Sequence, residues 1–184
     1  MKLQFKEQQF QIDAVRAVVD CFEGQPLKTN RFTLERSKEI IRKAKQAAVG
    51  IATISFEQDV LEDIGYRNSP IQIPESQVLE NIKRIQQHNE ISESQSIERP
   101  AGMHTGYNLT IEMETGTGKT YTYIRTMYEL HKKYGWSKFI VIVPSIAIRE
   151  GVYKSFEVTQ DHFQQLYGHK IAPFIYNSGR PQDI

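Results

Sequence analysis

The stretch Met113–Thr120, METGTGKT, constrains this chain more than any other. It places two glycines, a lysine and a threonine between an apolar segment, NLTIEM, and a helix-like one, KTYTYIRTMYEL. The usual phosphate-loop pattern is Gly, four residues, Gly, Lys, then Ser or Thr. Met113 stands at the first position, with Gly116, Gly118, Lys119 and Thr120 following. Such a loop needs a tight turn whose backbone N–H groups converge on an anion at a helix N-terminus. Gly116 and Gly118 can supply the unusual backbone angles and the close approach, which leaves the first glycine dispensable. Lys119 is then expected to reach the β- and γ-phosphates, and the Thr120 hydroxyl to bind Mg²⁺. Thr115 and Thr117 line the loop, and Glu114 reads as an ordinary loop residue. A chance glycine turn with an exposed lysine is the plain alternative.

The surrounding texture predicts a fold. Asn108–Met113, Lys138–Val143 and residues 171–176 read as strands. KFIVIV, continuous and β-branched, has the character of a strand buried on both faces of a parallel sheet. Residues 119–134 and 146–167 read as helices between them, and the alternation predicts a doubly wound α/β arrangement. Residues 8–23 place Ile12, Val15, Val18, Val19 and Phe22 on one helical face, with Gly24 and Pro26 as a stop. Residues 75–91 repeat the pattern with Val78, Leu79, Ile82 and Ile85, and 92–106 read as an exposed connection. Residues 33–48 form a basic helix-like segment, either a solvated face or a phosphate-contacting one. Residues 50–56 read as a short strand and 57–67 as helical.

Composition sets outer limits. The chain has 184 residues, a formal charge of +1 and one cysteine, Cys21. The charge neither demands nor excludes nucleic acid, so any basic surface has to be local. A single cysteine precludes an internal disulfide, and a reducing, intracellular setting is the simplest inference. The start lacks the apolar core of a secretory signal. The longest apolar run, Phe139–Val143, is far short of the roughly 20 residues that cross a bilayer. No histidine pair has zinc-protease spacing, and His162 and His169 read as surface residues.

The Met113–Thr120 form, with threonine before the first loop glycine, looks like motif I of superfamily 2 helicases and translocases. The longer string from Asn108 to Phe156 resembles the ATPase domain of the Res subunit of type III restriction-modification enzymes. The resemblance continues through Thr159, His162, Phe163 and residues 176–178, and reaches back to QIDAV, FEGQ and VLENIKRIQQHNEI. It implies a partial RecA-like lobe, a parallel sheet with flanking helices, over 107–184. A mainly helical N-terminal segment over 1–106 precedes it. It implies ATP and Mg²⁺ as cofactors, and double-stranded DNA and a modification (methyltransferase) subunit as partners, in the cytoplasm of a bacterial or archaeal cell.

Residue by residue, the resemblance matches Gln11 to the glutamine that reads adenine. An amide suits that task because it offers donor and acceptor together. Phe5 or Phe10 is the candidate to stack on the base. Pro144, Ser145 and Arg149 match a segment that touches the nucleic-acid backbone in relatives. A helix cap is the plain alternative for Ser145, and both roles are compatible.

Hydrolysis also needs an aspartate to hold the metal and a carboxylate to prepare the attacking water. The D-E-x-x box that carries them in superfamily 2 is absent from these residues, as is any clustered-carboxylate nuclease site. The end at Ile184 therefore reads as a truncation before that box, and the isolated chain is expected to bind nucleotide without appreciable hydrolysis. The expected function is that of the N-terminal ATP-binding part of a DNA-translocating restriction subunit. Rival readings are another superfamily 2 helicase, a small-molecule kinase and a non-catalytic nucleotide-binding module.

Overall fold

The structure is a computed structural model that describes residues 5–28, 68–103 and 106–176. The expectations for 33–48, 50–56 and 57–67 lie outside the described residues. Among the described residues four helices are seen: α1 (Gln9–Asp20), α2 (Glu75–His88), α3 (Lys119–Tyr134) and α4 (Ile146–Tyr167). Their ends follow local chemistry. Pro74 precedes α2, Glu75 occupies its first turn and His88 its last, the order the helix dipole favours. Ser145 caps α4 by accepting from the Ile148 N–H at 3.3 Å. Gly135 and Gly168, both left-handed, end α3 and α4.

α3 lies between two apolar clusters. One joins it to α1 through Val15, Val19, Leu130, Tyr134 and Trp136, with Phe22 packed alongside. The other joins it to α4 through Ile124, Tyr128 and Phe163. The expected face of α1 is therefore the one that packs, although only Val15 and Val19 are fully buried. Cys21 is buried beside this face, and burial pushes its thiol up to about 11.

Buried polar groups then fix the order of the elements. The Tyr134 hydroxyl donates to the Val19 carbonyl at 2.9 Å. Asn81 of α2 is almost fully buried and donates to the carbonyls of Cys21 (3.2 Å) and Glu23 (3.0 Å), just past α1. Those carbonyls have run out of helical partners, so the amide satisfies them at the point where α2 crosses.

The expected parallel sheet is not present in the described part of the chain. Among the described residues no strand occurs, and no backbone hydrogen bond joins 108–113, 138–143 and 171–176 to one another. The fold class is therefore corrected from α/β to helical for the described part. A strand exists only through sideways pairing with another strand, and β-branched composition suits a segment to a pleat without supplying the partner. Here the leading backbone groups of each segment are engaged elsewhere. Asn108 N–H donates to the Glu98 carbonyl at 2.8 Å. Asn68 Oδ1 accepts from the N–H groups of Ser137 and Lys138, each at 2.9 Å, and its Nδ2 donates to the Lys138 carbonyl. Ile171 N–H donates to the Tyr128 hydroxyl at 3.1 Å. The run expected to be buried on both faces is instead open, with Ile140 and Ile142 each 90% exposed.

Candidate nucleotide-binding site

The site is built on the turn that feeds α3. Thr117 closes it, donating to the Glu114 carbonyl through its backbone N–H (3.4 Å) and its hydroxyl (2.6 Å). Gly116 and Gly118 both hold left-handed angles, with φ of 83° and 87°. A side chain at either position would be strained. The surroundings differ: a Cβ on Gly116 would meet open space, whereas one on Gly118 would run into Gln11 Nε2.

Gly118 is also the residue before the first turn of α3, and no side chain caps that end. The first amides of a helix have no intrahelical acceptor, so an uncapped end gathers N–H donors and the positive end of the dipole in one place. Lys119 is exposed at the first helical position, and Thr120 is half-buried beside it. Thr115 is exposed on the turn.

Gln11 reaches this turn from α1. Its Nε2 donates to the Thr117 carbonyl at 2.8 Å, across 106 positions of sequence. The packing of α1 on α3 makes that contact, since Val15 and Val19 set how close the two helices come. One N–H of the amide is used; the Oε1 and the second N–H have no hydrogen-bond partner among the described residues. Phe5 and Phe10 separate clearly. Phe5 is half-buried against Tyr121 (centroids 6.0 Å apart, 20° between planes) and His162 (5.1 Å). Phe10, next to Gln11, is 50% exposed.

Behind the turn lies a network that sequence reading missed. The Tyr121 hydroxyl is 2.9 Å from His162 Nε2 on α4. Burial raises the Tyr121 phenol above its ordinary value and lowers His162 below its own. Both shifts favour the neutral forms, so the bond joins an uncharged phenol to an uncharged imidazole. Glu7 pairs with Arg125 at 3.3 Å, tying the segment before α1 to α3. His162 is thus a half-buried member of a ring cluster, not the surface residue its polar surroundings suggested. The only local signal was its neighbour Phe163, an aromatic at core spacing.

The α4 candidates stand apart from this cluster. The Ser145 hydroxyl serves as the cap described above. Arg149 donates to Glu150 Oε1 through Nε (3.2 Å) and NH2 (2.8 Å). Its charge is therefore partly met by a neighbouring carboxylate. No helix of the described residues is long and apolar enough to cross a membrane.

Comparison with known proteins gives one family. The family model described as "Type III restriction enzyme, res subunit" matches residues 69–177. The chain is 32% identical over 154 residues to the EcoP15I Res subunit of Escherichia coli, covering 80% of this chain and 15% of that protein. It is 29% identical over 153 residues to the EcoPI Res subunit of Escherichia phage P1, with the same 80% and 15% shares. A shorter match, 52% over 62 residues, is to the StyLTI Res subunit of Salmonella typhimurium, covering 33% of this chain and 6% of the relative. The chain thus spans about 15% of the length of the first two relatives. With more than half of its residues inside the matched family model, the chain belongs to the type III restriction enzyme Res subunit family.

Proposed function

We propose that residues 113–120 bind the triphosphate of ATP with Mg²⁺, and that the chain is the nucleotide-binding part of a DNA-translocating restriction subunit. The observation that carries this reading is the turn itself: two left-handed glycines lead into an uncapped α3 whose end is braced by Gln11. A phosphate chain fits amides so gathered, and Gly116 has open space beside it. Lys119 holds the β- and γ-phosphates, the Thr120 hydroxyl binds Mg²⁺, and Thr115, Gly116 and Thr117 form the wall of the turn. Mg²⁺, when bound, neutralises charge on the phosphate oxygens.

Adenine meets Gln11. Its free Oε1 accepts from the exocyclic amine, and its second N–H donates to N7, while the first stays on Thr117. Phe10 stacks on the base, because Phe5 is already committed to Tyr121 and His162. Ser145 and Arg149 contact the DNA backbone, with Arg149 exchanging Glu150 for a phosphate. The division at residue 106 then separates the base-reading part from the phosphate-holding part. In this reading the intact assembly cleaves DNA with ATP hydrolysis, alongside a modification subunit, in the cytoplasm.

Titration with ATP and Mg²⁺ tests the reading. Lys119→Ala and Gln11→Ala are expected to weaken binding by tenfold or more, the equivalent of about 1.4 kcal/mol. Lys119→Ala is expected to weaken ATP and GTP alike, and Gln11→Ala to erase the preference for ATP. Equal affinity of parent and Lys119→Ala overturns the assignment of the turn.

A further inference from the structure

Away from the turn, the far ends of α3 and α4 come together. Tyr121 packs on Phe163 and Tyr128 on Tyr167, so the two helices run in the same direction and their C-terminal ends converge. A cavity of about 280 Å³ lies there, lined by Leu27, His131, Lys132, Leu166, Tyr167 and His169. His131 comes from the last turn of α3, and His169 follows the glycine that ends α4. Their ring centroids are 4.9 Å apart at 68°.

The tautomers follow from the partners. His131 Nδ1 lies 3.2 Å from the Trp136 carbonyl and His169 Nδ1 3.0 Å from the Tyr167 carbonyl. A carbonyl oxygen can only accept, so each Nδ1 carries the proton and donates. In a neutral imidazole so oriented, Nε2 keeps the lone pair, and neither Nε2 has a hydrogen-bond partner among the described residues. An imidazole oriented by an Nδ1–H to a carbonyl is the arrangement that prepares a histidine as a metal ligand.

We infer that His131 and His169 form a two-imidazole site for a borderline divalent cation of the zinc class, with water completing the coordination. Imidazole nitrogen suits Zn²⁺, whereas Mg²⁺ prefers oxygen and keeps its water. Two helix C-termini add favourable negative ends. Lys132 opposes a cation, but it is exposed and its ammonium stands 6.0 Å over the Tyr167 ring, so it has solvent to move into. No group of three or more His, Cys, Asp or Glu among the described residues is placed to hold a metal, so the site is open and its affinity modest. The two ligands belong to different elements 38 positions apart, and the ion would clamp the end of α3 to the segment leaving α4.

The test uses the full chain without a histidine tag, in neutral buffer with excess Mg²⁺. Zn²⁺ calorimetry is expected to give one ion per chain, and imidazole NMR to show His131 and His169 shifting while His88 and His162 stay. His131→Gln and His169→Gln are each expected to lose about tenfold or more in Zn²⁺ affinity. Zinc is expected to raise the urea midpoint of the parent and of neither variant. Absence of saturable binding, binding unchanged in both variants, or shifts at other histidines would each overturn the site. The NMR reading on the parent decides the matter even where a variant misfolds.

Discussion

The two loop glycines answer to different physics. Gly116 is held at positive φ with free space around it, so Gly116→Ala is expected to cost only the left-handed penalty, about 1–2 kcal/mol. Gly118→Ala carries the same penalty and also drives a methyl into Gln11 Nε2. It should therefore lose ATP affinity by a larger factor, and should do so much less when Gln11 is already alanine. A double-mutant cycle on nucleotide affinity measures this directly. Additive losses would show that the close approach of Gln11 has no consequence for binding. Ser145→Ala is expected to lower stability by about 0.5–2 kcal/mol through loss of the cap, read from urea unfolding. Any further loss of DNA affinity, compared with Ser145→Thr, which keeps both the cap and the hydroxyl, reports the proposed backbone contact.

Among the elements, α2 is held by one buried amide as well as by its apolar stripe. Val78 is fully buried, but Leu79, Ile82 and Ile85 are only half-buried. Asn81, on the same helix, closes two carbonyls at the end of α1. Asn81→Leu matches its bulk yet leaves those acceptors dry, at a cost of about 1–3 kcal/mol in a urea midpoint. Periodicity located α2 because apolar spacing is local. It could not find Asn81, whose burial depends on where α1 ends in space. The strands failed for the related reason that pairing is not local: 138–143 has the composition of a buried strand, and Asn68 holds its first backbone groups.

At the scale of the whole molecule, the described residues are organised around α3, which meets α1 and α4 through separate clusters. The His162–Tyr121 bond spans the second of these, and its titration gives a signed expectation. Burial holds the folded His162 below its ordinary value of 6.5. Near neutral pH both folded and unfolded forms are uncharged, and this contribution to stability is fully present. As pH falls below 6.5 the unfolded chain takes up the proton first, and the contribution is lost down through the folded value. Urea midpoints should therefore drop with acidification, and the drop should shrink in His162→Gln. An identical acid profile in the variant would remove His162 from the account.

Some of this protein was decided by the order of its residues alone. The helices, the glycine turn before α3, the serine cap of α4 and the family resemblance all rest on neighbours within a few positions, where spacing and backbone preference speak directly. Tertiary structure decided the rest: that Gln11 grips Thr117, that Phe5 is occupied and Phe10 free, that two histidines share a cavity, and that three strand-like segments have no ladder. Each depends on groups brought together from distant positions, and a side chain's type carries no record of which distant partner will reach it.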